Sequence, residues 1–279
     1  MRRERQPNAG SDPMLDVEFA ELSDCGLCRK HNEDSLGHVV PSTPAQVQSQ
    51  GWLFALADGL GGHEKGEVAS RLAVDKVLAG FRAIPKGVMH VSLLPRLVQE
   101  ANAAVYDQGH VSKAQVAPMG TTLVLCALRF DSAVLSHVGD SRCYLYRDGK
   151  GVQLTRDHTM VADQVRLGIL SPAEASIAEN RHVLTRCLGS ELFVAADTIT
   201  VNITPKDVLL LCSDGLHGCV PDDAITQILG ADSNLDKTAA ALVAAASKNG
   251  GPDNISVQII RIRTVERMGL YRGRPYRLL

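Results

Sequence analysis

Two aspartates stand at the ends of apolar runs, and a glycine follows each of them. Asp58-Gly59 comes after the run WLFALA at 52–57, and Asp214-Gly215 comes after VLLLC at 208–212 and Ser213. Either pair alone is more often a turn, in which the aspartate bonds the backbone and the glycine supplies a positive φ. Near-continuous apolar runs, however, predict central strands, and the ends of such strands converge on one edge of a sheet. The two carboxylates are therefore expected to lie close together.

Four further acids occupy similar positions beside predicted strands, namely Glu33, Asp34, Asp140 and Asp253. Six carboxylates on one face repel each other, so either their pKa values rise or cations neutralise them. Ligation by oxygen alone favours magnesium or manganese over zinc, and the histidine spacing offers no zinc triad. Cys25 and Cys28 have the spacing of half a zinc site or of a redox pair. No second pair completes four ligands, so they are interpreted as unpaired thiols flanking a turn.

The elements that must position these acids change in character along the chain. Strands are predicted from alternation and apolar runs at 16–22, 52–57, 121–128, 133–138, 142–147, 197–203, 208–212 and 255–262. Helices are predicted at 66–81, 92–108, 221–229 and 235–248, with Asp232 or Asn234 as the cap of the last. The strands at 121–147 form an antiparallel meander, and the segment 156–192, with short helices at 160–167 and 172–178, is interpreted as a flap on the sheet.

Strands with helices segregated into pairs indicate an α+β fold, with two sheets packed face to face and helices outside, rather than a parallel βαβ fold. We predict a disordered arm at 1–13, a single domain at 14–263 and a basic tail at 264–279. The tail could contact a partner or an anionic surface, although such charge runs are more often solvated ends.

Charge and composition exclude several classes of protein. The 279 residues include 29 basic and 31 acidic side chains, for a formal net charge of -2, so no global field attracts nucleic acid or anionic membrane. No apolar run reaches the roughly 20 residues of a membrane span, and the start of the chain lacks a signal sequence. We expect a cytoplasmic monomer. Seven cysteines, an odd number, argue against a disulfide framework.

In order along the chain, these residues resemble the type 2C metal-dependent protein phosphatases in their compact bacterial form. The matching stretches are SDCGLCRKHNED at 23–34, ADGLGGH at 57–63, MGTT at 119–122, VGDSR at 138–142, LTRDH at 154–158, LCSDG at 211–215 and GGPDN at 250–254. The resemblance implies a four-layer α-β-β-α sandwich. It also implies hydrolysis of phosphoserine and phosphothreonine in proteins, by direct attack of a metal-bridging hydroxide and without a phosphoenzyme.

The resemblance also assigns roles to single residues. Asp58 bridges two Mn²⁺ or Mg²⁺ ions, Asp214 and Asp253 complete the first, and Glu33 and the carbonyl of Gly59 complete the second. In bacterial relatives the residues that match Asp140 and Asp214 often hold a third, weaker ion. Asp34 holds a metal-bound water from the second shell.

Two further residues are assigned to the phosphoryl group. Arg29 matches the family's phosphate-binding arginine, whose planar fork suits two phosphoryl oxygens; alone it would be read as a surface charge. A general acid assists the alkoxide leaving group, and His63 is the candidate, against the alternative of a plain loop histidine.

Two other functions stay open from the sequence. A metal-dependent phosphodiesterase or nucleotide hydrolase could use the same carboxylates, although the glycine-rich loop at 59–63 lacks the Lys-Ser/Thr ending of a Walker loop. A catalytically silent phosphoprotein-binding domain is the second, although it would be expected to have lost Asp58, Asp214 or Asp253. The expected partners are phosphoproteins, including a serine/threonine kinase or its targets.

Overall fold

A computed structural model of the chain describes residues 14–60, 65–85, 87–110, 119–231, 233–271 and 274–277, without the side chains of 268–277. The described strands are β1 (Asp16–Asp24), β2 (Asp34–Val39), β3 (Trp52–Leu60), β4 (Gly120–Thr121), β5 (Leu123–Arg129), β6 (Ser132–Val138), β7 (Arg142–Arg147), β8 (Lys150–Gln153), β9 (Asp197–Asn202), β10 (Val208–Cys212), β11 (Ile255–Thr264), β12 (Met268–Tyr271) and β13 (Arg274–Arg277). The described helices are α1 (Pro44–Ser49), α2 (Lys65–Arg82), α3 (His90–His110), α4 (Met160–Arg166), α5 (Pro172–Ile177), α6 (Asp214–His217), α7 (Asp222–Ala231) and α8 (Leu235–Lys248). The arm predicted at 1–13 and the loop that carries His63 lie outside these residues.

Two antiparallel sheets form the centre of the molecule. One has the strand order β1-β11-β10-β7-β8, and the other has the order β2-β3-β5-β6-β9, with β4 paired to β3. The alternation of side chains in β3 and β10 sends Phe54, Leu56, Leu209 and Leu211 into the layer between the sheets, where all four are fully buried. This apolar layer holds the sheets face to face.

Helices cover the outer face of each sheet. The apolar stripes of α2 and α3, which include Phe81 and Leu97, pack on the sheet that contains β3. The helices α6 to α8 cover the sheet that contains β10, through residues such as Leu216 and Leu242. The predicted α+β sandwich of four layers is therefore confirmed. None of the described helices combines the length and the apolar character that a membrane crossing needs.

The strands predicted at 121–147 do not form one meander. β5 pairs with β6, but β7 pairs with β10 and β8 in the opposite sheet. The chain changes sheets at Gly139, whose φ of 101° is open to glycine and strained for other residues. A Cβ at this position would also lie 2.6 Å from the methyl group of Thr122. The prediction of a continuous meander was wrong, because the sequence pattern does not show which sheet a strand joins.

Strand limits near the carboxylates also differ from the prediction. Asp58 and Gly59 do not form a turn, because β3 continues through them to Leu60 and pairs with β4. The strand β2 was missed because its residues are half-buried and show no clear alternation. β11 continues to Thr264, and Val265 and Glu266 are buried, so the chain stays in the fold past the predicted limit of 263.

Candidate active site

One open cavity of about 540 Å³ lies at the strand ends where the predicted carboxylates meet. It is lined by seven of the predicted site residues, namely Arg29, Glu33, Asp58, Gly59, Asp140, Asp214 and Asp253. Asp34 lies beside it, close enough for its charge to act on Asp58. His63 lies outside the described residues. The residues come from segments up to 224 positions apart in the chain, as the ion pair of Arg29 with Asp253 shows.

Asp58 is held at the floor of the cavity by strand pairing. It stands directly opposite Asp34 in the β2–β3 ladder, a placement that destabilises two like charges. Its backbone N–H donates to Thr122 Oγ1 at 2.9 Å, and its carbonyl accepts from Thr121 Oγ1 at 2.8 Å and from the Thr122 N–H at 2.8 Å. These bonds to both sides of the peptide fix the direction of the carboxylate.

Asp214 and Asp253 reach the cavity from the other sheet. Asp214 begins the short helix α6, and Ser213 before it donates through Oγ to Asp34 Oδ2 at 2.8 Å. Asn254 follows Asp253, accepts the Glu33 N–H at 2.7 Å and donates to the His31 carbonyl at 3.0 Å. Ser213 and Asn254 thereby help to position Asp34 and Glu33, which lie 179 and 221 residues earlier in the sequence.

Close approach of backbone explains why Gly59 is a glycine. A Cβ at Gly59 would lie 2.2 Å from the Gly66 carbonyl oxygen and 2.7 Å from that of Glu33. Gly66, in the first turn of α2, is equally constrained, because its Cβ would lie 2.6 Å from Glu33 Oε2. The two glycines let α2 pack against the loop that carries Glu33.

Burial and mutual repulsion raise the pKa values of four of the clustered acids, namely Asp34, Asp58, Asp140 and Asp214. Burial first, and then the charges of Asp34, Asp214, Asp140 and Asp253, hold the pKa of Asp58 well above its ordinary range. The pKa of Asp34 rises to about 7, because its burial and the charges of Asp214 and Asp253 outweigh the hydrogen bonds from Ser256 and Ser213. Burial and the charge of Asp214 raise the pKa of Asp140 to about 8. The fold thus gathers acids that are costly to ionise together, with Arg29 paired to Asp253 at the edge of the cluster.

The donor set fits hard divalent cations. Asp34 Oδ1 and Asp214 Oδ1 are buried and have no hydrogen-bond partner, and such orphan acceptors are costly unless an ion or water satisfies them. Carboxylate and carbonyl oxygens suit magnesium and manganese, whereas zinc prefers nitrogen and sulfur. Cys219 lines the same cavity, but burial raises the pKa of its thiol, which disfavours the thiolate that zinc requires.

Arg29 stands at the rim, where about half of its side chain is exposed. Its Nη2 donates to Asp253 Oδ2 at 2.7 Å, and this bond raises the pKa of the guanidinium. The loop that carries it is tied to the C-terminal loop, since the Leu27 N–H donates to the Gly251 carbonyl at 2.8 Å. A cationic fork is therefore fixed beside the carboxylates, facing solvent, where an anion can approach.

Sequence reasoning missed several residues of the cavity. His182 and Arg181 reach it from the flap, and His182 Nδ1 lies 3.7 Å from Asp214 Oδ2. Nothing in their spacing indicates this, because the path of the flap is not encoded in local periodicity. Thr122 lies in the strand predicted at 121–128 and in the motif MGTT, but neither feature assigned it the contact that it makes to the Asp58 N–H.

Comparisons with known proteins agree with the geometry. The family model described as protein phosphatase 2C matches residues 29–250. The serine/threonine phosphatase stp of Listeria innocua is 34% identical over 255 residues, which cover 90% of this chain and 96% of that protein. The crystal structure of the serine/threonine phosphatase PstP/Ppp of Mycobacterium tuberculosis has a TM-score of 0.79 and 33% identity, covering 90% of this chain and all of that one.

A structure of the catalytic domain of PstP in complex with two manganese ions has a TM-score of 0.77 and 33% identity, and it covers 90% of this chain and all of that one. The residues matched by the family model include Arg29, Glu33, Asp58, Asp140 and Asp214. With its acid cluster at the expected strand ends, this chain belongs to the protein phosphatase 2C family of metal-dependent phosphoprotein phosphatases.

Proposed function

We propose that this protein hydrolyses phosphoserine and phosphothreonine in proteins, with two Mn²⁺ or Mg²⁺ ions held by its acid cluster. The single observation that carries the proposal is the meeting of Glu33, Asp58, Asp214 and Asp253 in one cavity. Asp58 is proposed to bridge the ions, Asp214 and Asp253 to complete one, and Glu33 with the Gly59 carbonyl to complete the other. Asp140 together with Asp214 is proposed to hold a third, weaker ion.

Divalent cations bound at such a cluster supply hydroxide at neutral pH by lowering the pKa of water, and they draw charge from phosphoryl oxygens. The residues of the chain orient the reactants. Arg29 binds two phosphoryl oxygens of the ester, and Asp34 accepts a hydrogen bond from the attacking water and fixes its direction. Phosphorus is attacked directly by water, so no side chain becomes phosphorylated. His63 remains the proposed donor of the proton to the leaving alkoxide.

We also propose that the substrates include a serine/threonine kinase or its targets. Support comes from the relatives, which are named as serine/threonine phosphatases. The cavity itself supports a protein ester over a small metabolite, because it is open to solvent and is lined by Arg181, His182 and Leu184 of the flap.

The test compares three phosphate substrates at equal concentration with Mn²⁺: a phosphothreonine peptide, a phosphodiester and ATP. We expect kcat/KM for the peptide to exceed the other two by at least tenfold, roughly the effect of one lost positioning contact. A preference for the diester or ATP would assign the site to the phosphodiesterases or nucleotide hydrolases. Tight binding of the phosphopeptide without turnover would assign it to the silent binding domains.

A further inference from the structure

Two buried histidines stack on each other at the base of the flap, next to the turn that carries Asp140. The rings of His137 and His158 are 4.8 Å apart and nearly parallel, and both side chains are almost fully buried. Asp197 faces the same cluster, with its carboxylate 3.4 Å from His158 Nε2. Ligand atoms of these three residues all lie within 4.8 Å of one another, a spacing that would suit a metal ion.

The hydrogen bonds argue against a metal at this cluster. His158 Nδ1 accepts the Gly139 N–H at 3.1 Å, so a metal could reach this ring only through Nε2, and the guanidinium nitrogen Nη1 of Arg186 already lies 3.3 Å from that atom. Asp197 is already bound to two arginines, at 2.9 Å to Arg186 Nη1 and at 3.2 Å to Arg156 Nη2. Two guanidinium groups repel a divalent cation at this range. The cluster therefore has another role.

His158 joins three segments of backbone. Its own N–H donates to the Gly139 carbonyl at 3.0 Å, and its Nδ1 accepts the Gly139 N–H. Both backbone polar groups of Gly139 are therefore hydrogen-bonded to His158. Its carbonyl accepts from the Thr185 N–H at 2.8 Å, where the chain returns from the flap. Thr159 and Leu184 form a β-bridge directly beyond this bond. One histidine thus ties both ends of the flap to the turn between the two sheets.

The neutral form of His158 is stabilised by its surroundings. Burial first, and then the neighbouring His137 and the guanidinium of Arg186, lower the pKa of His158 to about 4. His137 is oriented by its Nε2, which lies 2.9 Å from the Arg156 carbonyl and donates to it. The ring on which His158 stacks is therefore itself fixed to the first residues of the flap. Nδ1 of His158 stays available as an acceptor throughout the neutral pH range.

We infer that His158 is a positioning residue that couples the flap to Asp140 through Gly139. This inference rests on the proposed function, in which Asp140 holds the weakest of the divalent cations. Gly139 has a positive φ and precedes Asp140 directly, so the bonds that hold its peptide also set the direction of the aspartate. On the other side, the Asp140 carbonyl accepts from His217 Nε2 at 3.0 Å. A displacement of the flap base therefore displaces a proposed cation ligand.

Two substitutions separate the functions of the ring. His158→Asn places a side-chain oxygen near the position of Nδ1 and can still accept the Gly139 N–H, whereas His158→Gln places its amide near Nε2 and loses that bond. We expect H158Q to weaken the weakest Mn²⁺ site by about 10–100-fold, as lost supporting bonds around ligands do, and H158N to retain most of the affinity. Titration of free Mn²⁺ by electron paramagnetic resonance measures this without turnover.

A matched control uses a second buried histidine far from the cavity. His90 on α3 is 4% exposed, lies 2.8 Å through Nε2 from the Gln50 carbonyl, and has its pKa lowered by burial to about 4 as well. H90Q should leave Mn²⁺ affinity intact. Hydrogen exchange in metal-free protein should show faster exchange at the Gly139 and Thr185 amides in H158Q, but not in H90Q.

The outcomes distinguish this inference from the proposed function. Equal Mn²⁺ affinity in H158Q and wild type would overturn the coupling, and so would equal losses in H158N and H158Q. A double-variant comparison gives a second check. If the fold-loss in kcat/KM of H158Q combined with Asp140→Asn equals the product of the two single fold-losses, the residues act independently. His158 then does not act through Asp140, and the inference fails. If wild type binds no Mn²⁺ while Gly139 is still protected in an H158Q-sensitive way, the proposed function fails and the structural connection stands.

Discussion

At the scale of single residues, Asp58 concentrates the conflict between stability and function. It faces Asp34 across a strand pair, and its burial, followed by the charges of Asp34 and of three further acids, raises its pKa in the metal-free protein. A residue that served only the fold would be neutral here. The chain accepts the repulsion because the same arrangement gives divalent cations a ready set of oxygens.

The substitution Asp58→Asn, which replaces one carboxylate oxygen by an amide nitrogen, tests whether this residue trades stability for activity. Asparagine keeps the size and the backbone bonds to Thr121 and Thr122 but removes the charge. Phosphatase activity should fall by at least about 100-fold, the upper range for losses beyond the direct ligands, measured as kcat/KM on a phosphothreonine peptide. Thermal unfolding in EDTA at pH 7 should shift to higher temperature than in wild type. Undiminished activity, or a metal-free variant less stable than wild type, would contradict the assignment.

The acids themselves could be predicted from the sequence, but their supports could not. The ends of two apolar runs and the order of motifs were enough to place Asp58 and Asp214 in one cavity. Asn254 and Ser213 connect acids from opposite ends of the chain, and such long-range bonds leave no local pattern. His182 reaches Asp214 only through the path of the flap.

At the scale of elements, the flap and the closing helices use the same local signals for different purposes. Both α5 and α8 begin with a side-chain cap, Ser171 in a capping box with Glu174 and Asn234 bonded to the Lys237 N–H. α5 has no buried residue, whereas α8 buries Leu242 and five others. The cap of α5 therefore supports a surface helix alone, and the cap of α8 supports part of the core.

Removing each cap should give different results. Asn234→Ala should lower the free energy of unfolding by about 1 kcal/mol, seen as a lower midpoint in urea. Ser171→Ala loses a similar bond but should leave the midpoint within error and instead speed hydrogen exchange of the amides at 173–177. Equal midpoint shifts in the two variants would mean that the flap unfolds together with the core.

Element types were predictable where a segment has one clear period, and sheet membership was not. The helix at 235–248 and the strand at 208–212 were predicted with the limits that the structure shows. The switch of β7 into the other sheet depends on the backbone of Gly139 and on packing across the sandwich. Local propensity contains neither piece of information.

At the scale of the whole molecule, acids and histidines impose opposite pH dependences on stability. Asp34 and Asp140 have folded pKa values of about 7 and about 8, above the ordinary value of 3.8. The folded state then binds more protons than the unfolded state. The contribution of these two acids to the free energy of unfolding is therefore fully present below about pH 4 and is lost as the pH rises to about 8. Burial lowers the pKa of His90 and His158 to about 4, so their contribution is lost as pH falls from about 6.5 to about 4.

The difference between metal-loaded and metal-free protein isolates the acids, because the histidines contribute equally to both. We expect the gain in Tm from Mn²⁺ over EDTA to be small at pH 5 and to reach about 5–10 °C at pH 8 with Mn²⁺ at 100 times its Kd. Differential scanning calorimetry across this range measures it. A gain that does not change with pH would show that the acids are not the groups that bind the ion.

The position of β11 has a consequence for how the protein is made. This strand lies between β1 and β10. It pairs with β1 along its length, from Asp24 opposite Ile255 to Asp16 opposite Thr264. During synthesis β1 has no strand partner among the described elements until residues 255–264 have been made, and the loop with Asp253 is made only shortly before them. Until then the nascent chain carries an unpaired strand edge and an incomplete acid cluster. About 230 residues are therefore synthesised between β1 and its partner, an interval in which chaperones can bind the exposed edge.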